Sequence, residues 1–164
     1  MSNSPELSLT LATDQDVPQI LAFIRALAEY ERLAHAVVAT EERLRQSLFG
    51  PRPYAECVIA RWNGEPAGFA LFFHNFSTFL ARPGLYLEDL FVAPEQRGRG
   101  VGLALLRHLA KVALDRDCGR LEWSVLDWNE SAIGFYESIG AEPLQDWTIF
   151  RLTGDALTRL AARP

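Results

Sequence analysis

"YLEDLFVAPEQRGRGVG", Tyr86–Gly102, decides how this chain is read. The first part reads as a buried strand, yet it holds two adjacent carboxylates, Glu88 and Asp89. A proline then breaks the run, and three glycines follow, interleaved with Arg97, Arg99 and Val101. Acid inside a strand, followed at once by a flexible basic turn, asks for a chemical reason.

Glycine needs no Cβ clearance, so Gly98, Gly100 and Gly102 let the backbone approach a ligand and expose successive N–H groups at the start of a helix. Aligned peptide dipoles place roughly half a positive charge there, and Arg97 and Arg99 add full ones, which makes a pyrophosphate the natural guest. Rival phosphate motifs fail on inspection. A P-loop needs a Gly-Lys-Ser/Thr ending, and a dinucleotide fingerprint needs glycine where Leu103 stands. The plain alternative is a tight strand-to-helix turn with no ligand.

Outward from the turn, Val101, Leu105, Leu109 and Val112 mark one face of a helix ending near Gly119, and Leu121–Leu126 reads as a strand. Asn129 can cap a helix closed by Gly140. Trp147–Leu152 reads as a last strand and Asp155–Ala162 as a terminal helix. On the other side, Leu7, Leu9 and Leu11 have strand spacing, and Thr13 or Asp14 can cap a helix carrying Ile20, Ile24, Leu27 and Ala28. Thr40 opens a short helix that Gly50 and Pro51 stop. Tyr54–Arg61 and Pro66–Phe76 read as strands joined at Asn63-Gly64, a pair suited to a tight hairpin, and a polar loop from Asn75 to Gly84 leads into the strand Leu85–Val92. The expectation is an α/β fold with a mixed sheet and helices on both faces.

At 164 residues, 49% of them hydrophobic, the chain is expected to form one domain with a substantial core. No apolar run approaches the ~20 residues of a membrane span, and the start MSNSPELS lacks the pattern of a secretory signal, so a soluble cytoplasmic protein is expected, with no membrane partner. Cys57 and Cys118 are too few for a disulfide framework, and His35, His74 and His108 show no ligand spacing, so no metal site is expected. A net charge of −5 argues against a nucleic-acid partner and suits a cationic substrate.

Arg97-x-x-Gly100-x-Gly102 after a strand and before an amphipathic helix resembles the pyrophosphate loop of the GCN5-related N-acetyltransferases (GNAT). YLEDLFV before it and LDWNESAIGFYESIGA after it narrow the resemblance to the diamine branch, the spermidine/spermine and thialysine N-acetyltransferases. The likeness covers most of the chain, including LAEYE at Leu27–Glu31 and Trp147, although the segment between Gly140 and Trp147 is shorter than the family's. It implies a GNAT-type, mostly antiparallel sheet, acetyl-CoA as cofactor, a small-molecule amine as acceptor and a homodimer. It further implies that Leu90, Phe91 and Val92 line the pantetheine arm and that Gly98, Arg99, Gly100, Val101, Gly102 and Leu103, with Arg97, hold the pyrophosphate. By the same resemblance Asn129 contacts the cofactor and Tyr136 lies near the thioester sulfur. Tyr30, Glu31, Glu88, Asp89 and Trp147 fall on the acceptor side, with Gln145 or Asp146 near the place of a further acidic residue.

The chemistry asks for the same residue types. An alkylammonium near pKa ~10.4 must lose its proton before it can attack, at a cost of roughly 5 kcal/mol at pH 7. Glu88, beside apolar Leu87 and Leu90, is the expected base, directly or through water. Asp89 alternates to the opposite face and shares the role only where a bulge re-aims it. A backbone N–H near Leu90 can stabilise charge on the carbonyl oxygen, and Tyr136 can protonate or hydrogen-bond the leaving thiolate. Neither cysteine has a histidine near it in sequence, so direct transfer in a ternary complex is the simpler route. A non-catalytic acyl-CoA sensor, and an acetyltransferase for a protein or antibiotic amine, stay open beside this reading. Considered singly, Tyr136 reads as a core tyrosine and Trp128 and Trp147 as packing residues.

Overall fold

The computed structural model describes residues 6–164, so the first five residues of the polar start lie outside it. Two compact units divide the chain between Ser124 and Val125.

The first unit is built on a sheet of five strands in sequential order: β1 (Leu7–Leu11), β2 (Glu56–Trp62), β3 (Glu65–Ser77), β4 (Arg82–Val92) and β5 (Leu121–Trp123). Neighbours from β1 to β4 run antiparallel, and β4 pairs with β5 in parallel. The helix that carries the chain from β4 to β5 is α3 (Val101–Asp115), since a parallel pair needs a crossover. Before the sheet is completed, α1 (Val17–Tyr30) and α2 (Glu41–Phe49) intervene between β1 and β2. Thr40 starts α2 as expected, its hydroxyl accepting from the Arg43 N–H at 3.2 Å.

Helices cover both faces, because period-two alternation makes β2 and β3 apolar on each side. Cys57, Ile59 and Phe69 face Ile20, Phe23 and Leu27 of α1 and Leu48 of α2 in one buried cluster. The Phe23 and Phe69 rings stack at 5.5 Å. Val58, Ala60, Ala70 and Phe72 are buried on the opposite side, where Val101, Leu105 and Leu109 of α3 are also fully buried and Arg116, just past the helix, lies over the Phe72 ring. The result is the α/β fold that the alternation of elements predicts.

Several boundaries differ from expectation. The stretch 75–84 is not a loop: β3 continues to Ser77 and β4 begins at Arg82, so a long hairpin closes over four residues. Cross-strand hydrogen bonding along the whole arm outweighs the polar composition that suggested a loop. At the shorter hairpin, Asn63 and Gly64 both take positive φ, 52° and 84°, as their sequence implies.

The second unit contains α4 (Glu130–Ser138) and α5 (Gly154–Ala161). Asn129 caps α4, its side-chain oxygen accepting from the Ala132 N–H at 3.3 Å. Residues 147–152 form no strand, and β5 ends at Trp123 rather than Leu126. A strand exists only through the ladder it makes with a neighbour, and this unit supplies none for 147–152.

Candidate active site

The decisive local feature of β4 is a register shift. Ala70 pairs with Leu90 and Leu71 with Asp89, but Phe72 pairs with Leu87, which leaves Glu88 as the extra residue of a bulge. A one-residue insertion reverses the facing of everything beyond it. Leu87 lies opposite Phe72, on the α3 side, whereas Phe91 joins the buried cluster on the α1 side. Asp89, two residues before Phe91, therefore faces α1. Leu90 and Val92 face α3, where a β-carbon on Gly102 would meet Val92 Cγ2 at 3.6 Å and Leu90 Cδ2 at 3.9 Å.

This arrangement corrects the electrostatic expectation for the two carboxylates. Glu88, expected to be desolvated beside Leu87 and Leu90, is exposed. Burial acts on Asp89 instead and, with the charges of Glu88 and Glu31 added, pushes its carboxyl up to about 6. Glu31 is itself raised by burial. The bulge that the sequence reading named as the condition for Asp89 to share the proton work is present.

Tyr30 and Glu31 stand where α1 stops. Arg32 takes φ 63°, its N–H donates to the Glu29 carbonyl at 3.1 Å, and the Leu33 N–H donates to the Ala28 carbonyl at 2.7 Å. This is a Schellman closure with arginine in the left-handed position that glycine usually takes. It holds Glu31 at the helix cap, close enough for its charge to act on Asp89.

Beyond β4, a short turn over Pro94–Gln96 leads to the glycines. Gly98 and Gly100 take φ 74° and 81°, in the left-handed region, and a β-carbon at either would meet no heavy atom within 4 Å. Gly100 is the N-cap of α3 and no side chain caps that end. The first N–H groups of a helix have no partner within it, so Val101, Gly102 and Leu103 begin α3 with donors directed beyond its end. Val101 is buried and anchors the turn to the sheet. The bend is thus an uncapped helix start with open space before it, which fits a diphosphate.

Each of the two arginines lies over an aromatic ring. Arg97 lies over the Tyr30 ring at 4.8 Å and near the Phe91 ring at 5.8 Å, and its Nε donates to the Val92 carbonyl at 3.1 Å. Arg99 lies over the Trp62 ring at 5.3 Å. At an exposed site an aromatic face attracts a guanidinium by about 0.5–1 kcal/mol, enough to bias its direction, and nothing in the spacing of the motif reveals such rings.

Cys57 is buried on β2, and burial together with the charges of Asp16 and Asp89 pushes its thiol up to about 12. A thiol so reluctant to ionise is no nucleophile. Among the described residues no group of three or more histidines, cysteines or carboxylates is placed to hold a metal.

In the second unit, Tyr136 lies on α4, its ring 5.6 Å from that of Phe135, and Trp147 is exposed in the irregular stretch.

A sheet in this order, bulged at its fourth strand and continued by a glycine turn into a helix, defines a class of acyl-transfer proteins. The chain belongs to the acetyltransferase (GNAT) family, whose model matches residues 14–141, and it is an N-acetyltransferase enzyme. Its relatives are those of the diamine acetyltransferase-like branch. It is 40% identical to the thialysine N-epsilon-acetyltransferase of Bos taurus, over 93% of this chain and 95% of that protein. With the L-ornithine N5-acetyltransferase of Arabidopsis thaliana it shares 36% identity, over 91% of this chain and 85% of the relative. Among solved structures, an integron cassette protein from the mobile metagenome of V. cholerae superposes with a TM-score of 0.80 at 27% identity, covering 96% of this chain and 98% of that one.

Proposed function

We propose that the protein moves an acetyl group from acetyl-CoA to the primary amine of a small molecule, a polyamine or a lysine-like amino acid, by direct transfer in a ternary complex. The observation that carries this reading is the open, uncapped glycine turn at the start of α3, which directly follows the strand bearing Glu88 and Asp89. Amino-acid acceptors with a terminal amine are favoured by the thialysine and ornithine activities named for the relatives.

The amides of residues 98–103 would hold the pyrophosphate, and the backbone of Leu90, Phe91 and Val92 would line the pantetheine arm. Asn129 would add a cofactor contact. Acetyl-CoA, when bound, supplies the acetyl group as an activated thioester. The acidic residues Glu31, Glu88 and Asp89 attract the cationic amine, with Tyr30 and Trp147 on the acceptor side. Attraction alone favours the wrong protonation state, so the site also needs a group that takes the proton. Exposed Glu88 meets the amine or its bound water, and Asp89, whose raised affinity for a proton lies nearer to neutral pH, accepts it. Tyr136 would hydrogen-bond the leaving thiolate. Cys57, kept un-ionised, is no candidate for a covalent enzyme intermediate. A homodimer is the expected assembly.

Incubation with acetyl-CoA and a panel of thialysine, ornithine, lysine, putrescine and spermidine, followed by thiol release, tests the reading. Amine-dependent release is expected with at least one acceptor. Binding of acetyl-CoA without release by any of these amines would overturn the proposed acceptor class, and no calorimetric signal with acetyl-CoA would end the proposal. Tyr136→Phe is expected to lower kcat about tenfold or more while changing acetyl-CoA affinity less than twofold; equal turnover would assign the tyrosine to packing.

A further inference from the structure

We propose that Arg97 is a positioning residue for the amine acceptor: by stacking on Tyr30 while bonded to β4, it holds the end of α1, and with it Glu31, at the carboxylates of the bulged strand. The kinetic half of this proposal rests on the acetyl-transfer reading above.

Three contacts made by one side chain support it. The guanidinium lies 4.8 Å from the Tyr30 ring centroid and 5.8 Å from that of Phe91, and Nε donates to the Val92 carbonyl at 3.1 Å. Arg97 itself belongs to the turn that leads into α3. A single group therefore ties three pieces of chain together: the last residue of α1, the last residue of β4 and the approach to the glycine turn.

What it holds matters for the acceptor because Tyr30 and Glu31 are adjacent at one closed helix end. The closure of α1, with Arg32 at φ 63° and the Leu33 N–H bonded to the Ala28 carbonyl, fixes the backbone that follows Tyr30. Anchoring the ring thus sets where the Glu31 carboxylate stands. Glu31 is already close enough to influence Asp89, so a small displacement of α1 would change the charge presented to a cationic amine.

The residue type suits the task. A planar guanidinium can stack on a ring while its Nε–H donates in the same plane, whereas a lysine ammonium offers no flat face and no second donor along the stem. Nor would the spacing of the turn motif require it: a residue needed solely for its charge at the phosphate has no reason to lie over Tyr30.

The test combines kinetics with a direct probe of the contact. Arg97→Met, which keeps an apolar stem, and Tyr30→Leu are each expected to raise the amine KM about five- to tenfold, with a smaller change in the acetyl-CoA Kd measured by calorimetry. The double variant is expected to be no worse than either single one, because both remove the same contact. Multiplying effects in the double variant, or a raised acetyl-CoA Kd with an unmoved amine KM in Arg97→Met, would overturn the proposal. In the ligand-free protein, the Arg97 Hε resonance should be protected from exchange and shifted upfield by the ring, and Tyr30→Leu should abolish the shift while Tyr30→Phe keeps it. An Hε resonance that Tyr30→Leu leaves unmoved rejects the contact. That measurement needs no turnover, so a protein that keeps the shifted resonance yet fails to use acetyl-CoA would refute the acetyl-transfer reading and leave the contact standing.

Discussion

Asp89→Asn is expected to lower kcat/KM for the amine by about 10²–10³-fold at neutral pH and, at the same time, to make the protein more stable. The two effects share a cause. Burial and the neighbouring charges of Glu88 and Glu31 raise the Asp89 carboxyl from 3.8 to about 6, so keeping it ionised at neutral pH costs folding free energy. The sign follows from comparing proton uptake in the two states. Below about pH 4 the carboxyl is protonated whether folded or unfolded, and its ionisation contributes nothing. Between about 4 and 6 the unfolded chain releases the proton first, so stability falls as the pH rises, and above about 6 the penalty is complete. Replacement by asparagine should therefore gain about 1–2 kcal/mol at pH 7.5, after the cost of burying an amide, and little at pH 4. Denaturant midpoints at the two pH values measure this; equal gains at both would show that ionisation is not the cause.

The pH profile separates the two carboxylates. An acid limb near 6 in kcat/KM is expected, and Asp89→Asn should erase it. Glu88→Gln should lower the plateau but keep the limb and move it to lower pH, because the Glu88 charge raises Asp89 and its removal lets that carboxyl release its proton earlier. Glu31→Gln should move the limb in the same direction by less, since its influence on Asp89 is the smaller of the two. Loss of the limb in Glu88→Gln with retention in Asp89→Asn would return the role of base to Glu88, the residue that the strand pattern first suggested.

Gly100→Val is expected to weaken acetyl-CoA binding on the order of 30–100-fold, while Gly102→Ala, two residues away, should change it less than about threefold. The difference lies in backbone rather than space. Gly100 has open surroundings but φ 81°, a conformation that costs an L-residue roughly 1–2 kcal/mol and a β-branched one more. A substituted turn must bear that strain or rotate its amides out of line. At Gly102 φ is helical, and an added β-carbon would meet Val92 Cγ2 and Leu90 Cδ2 at 3.6 and 3.9 Å, ordinary contact distances that point into the sheet. Calorimetry on the two variants checks the contrast; equal affinities would show that the bend does not cradle the diphosphate.

Much of this site is legible in the chain. Alternation at Leu7–Leu11 and the apolar spacing of α1 and α3 are local consequences of strand and helix periods, so they can be counted from residue types. Asn63-Gly64 and the glycines at 98 and 100 announce positive φ because few other residues tolerate it. Trp147–Leu152 carries the same apolar signal as a strand and forms none, since a ladder needs a partner that lies elsewhere in the chain or outside it. The hairpin between Asn75 and Gly84 was obscured in the opposite sense, its polar residues being held in register by the facing strand.

The sequence by itself determined the order of elements as far as α4, the left-handed turn before α3 and the presence of paired acids on the strand leading into it, because each depends on a residue's own backbone preferences or on its near neighbours. Only the tertiary structure decided which acid is desolvated and where the arginines point. The bulge at Glu88 is a mismatch between β4 and β3, and the rings that receive Arg97 and Arg99 come from α1, β4 and β2. Strand register and side-chain direction are set by partners distant in the chain, and no local period records them.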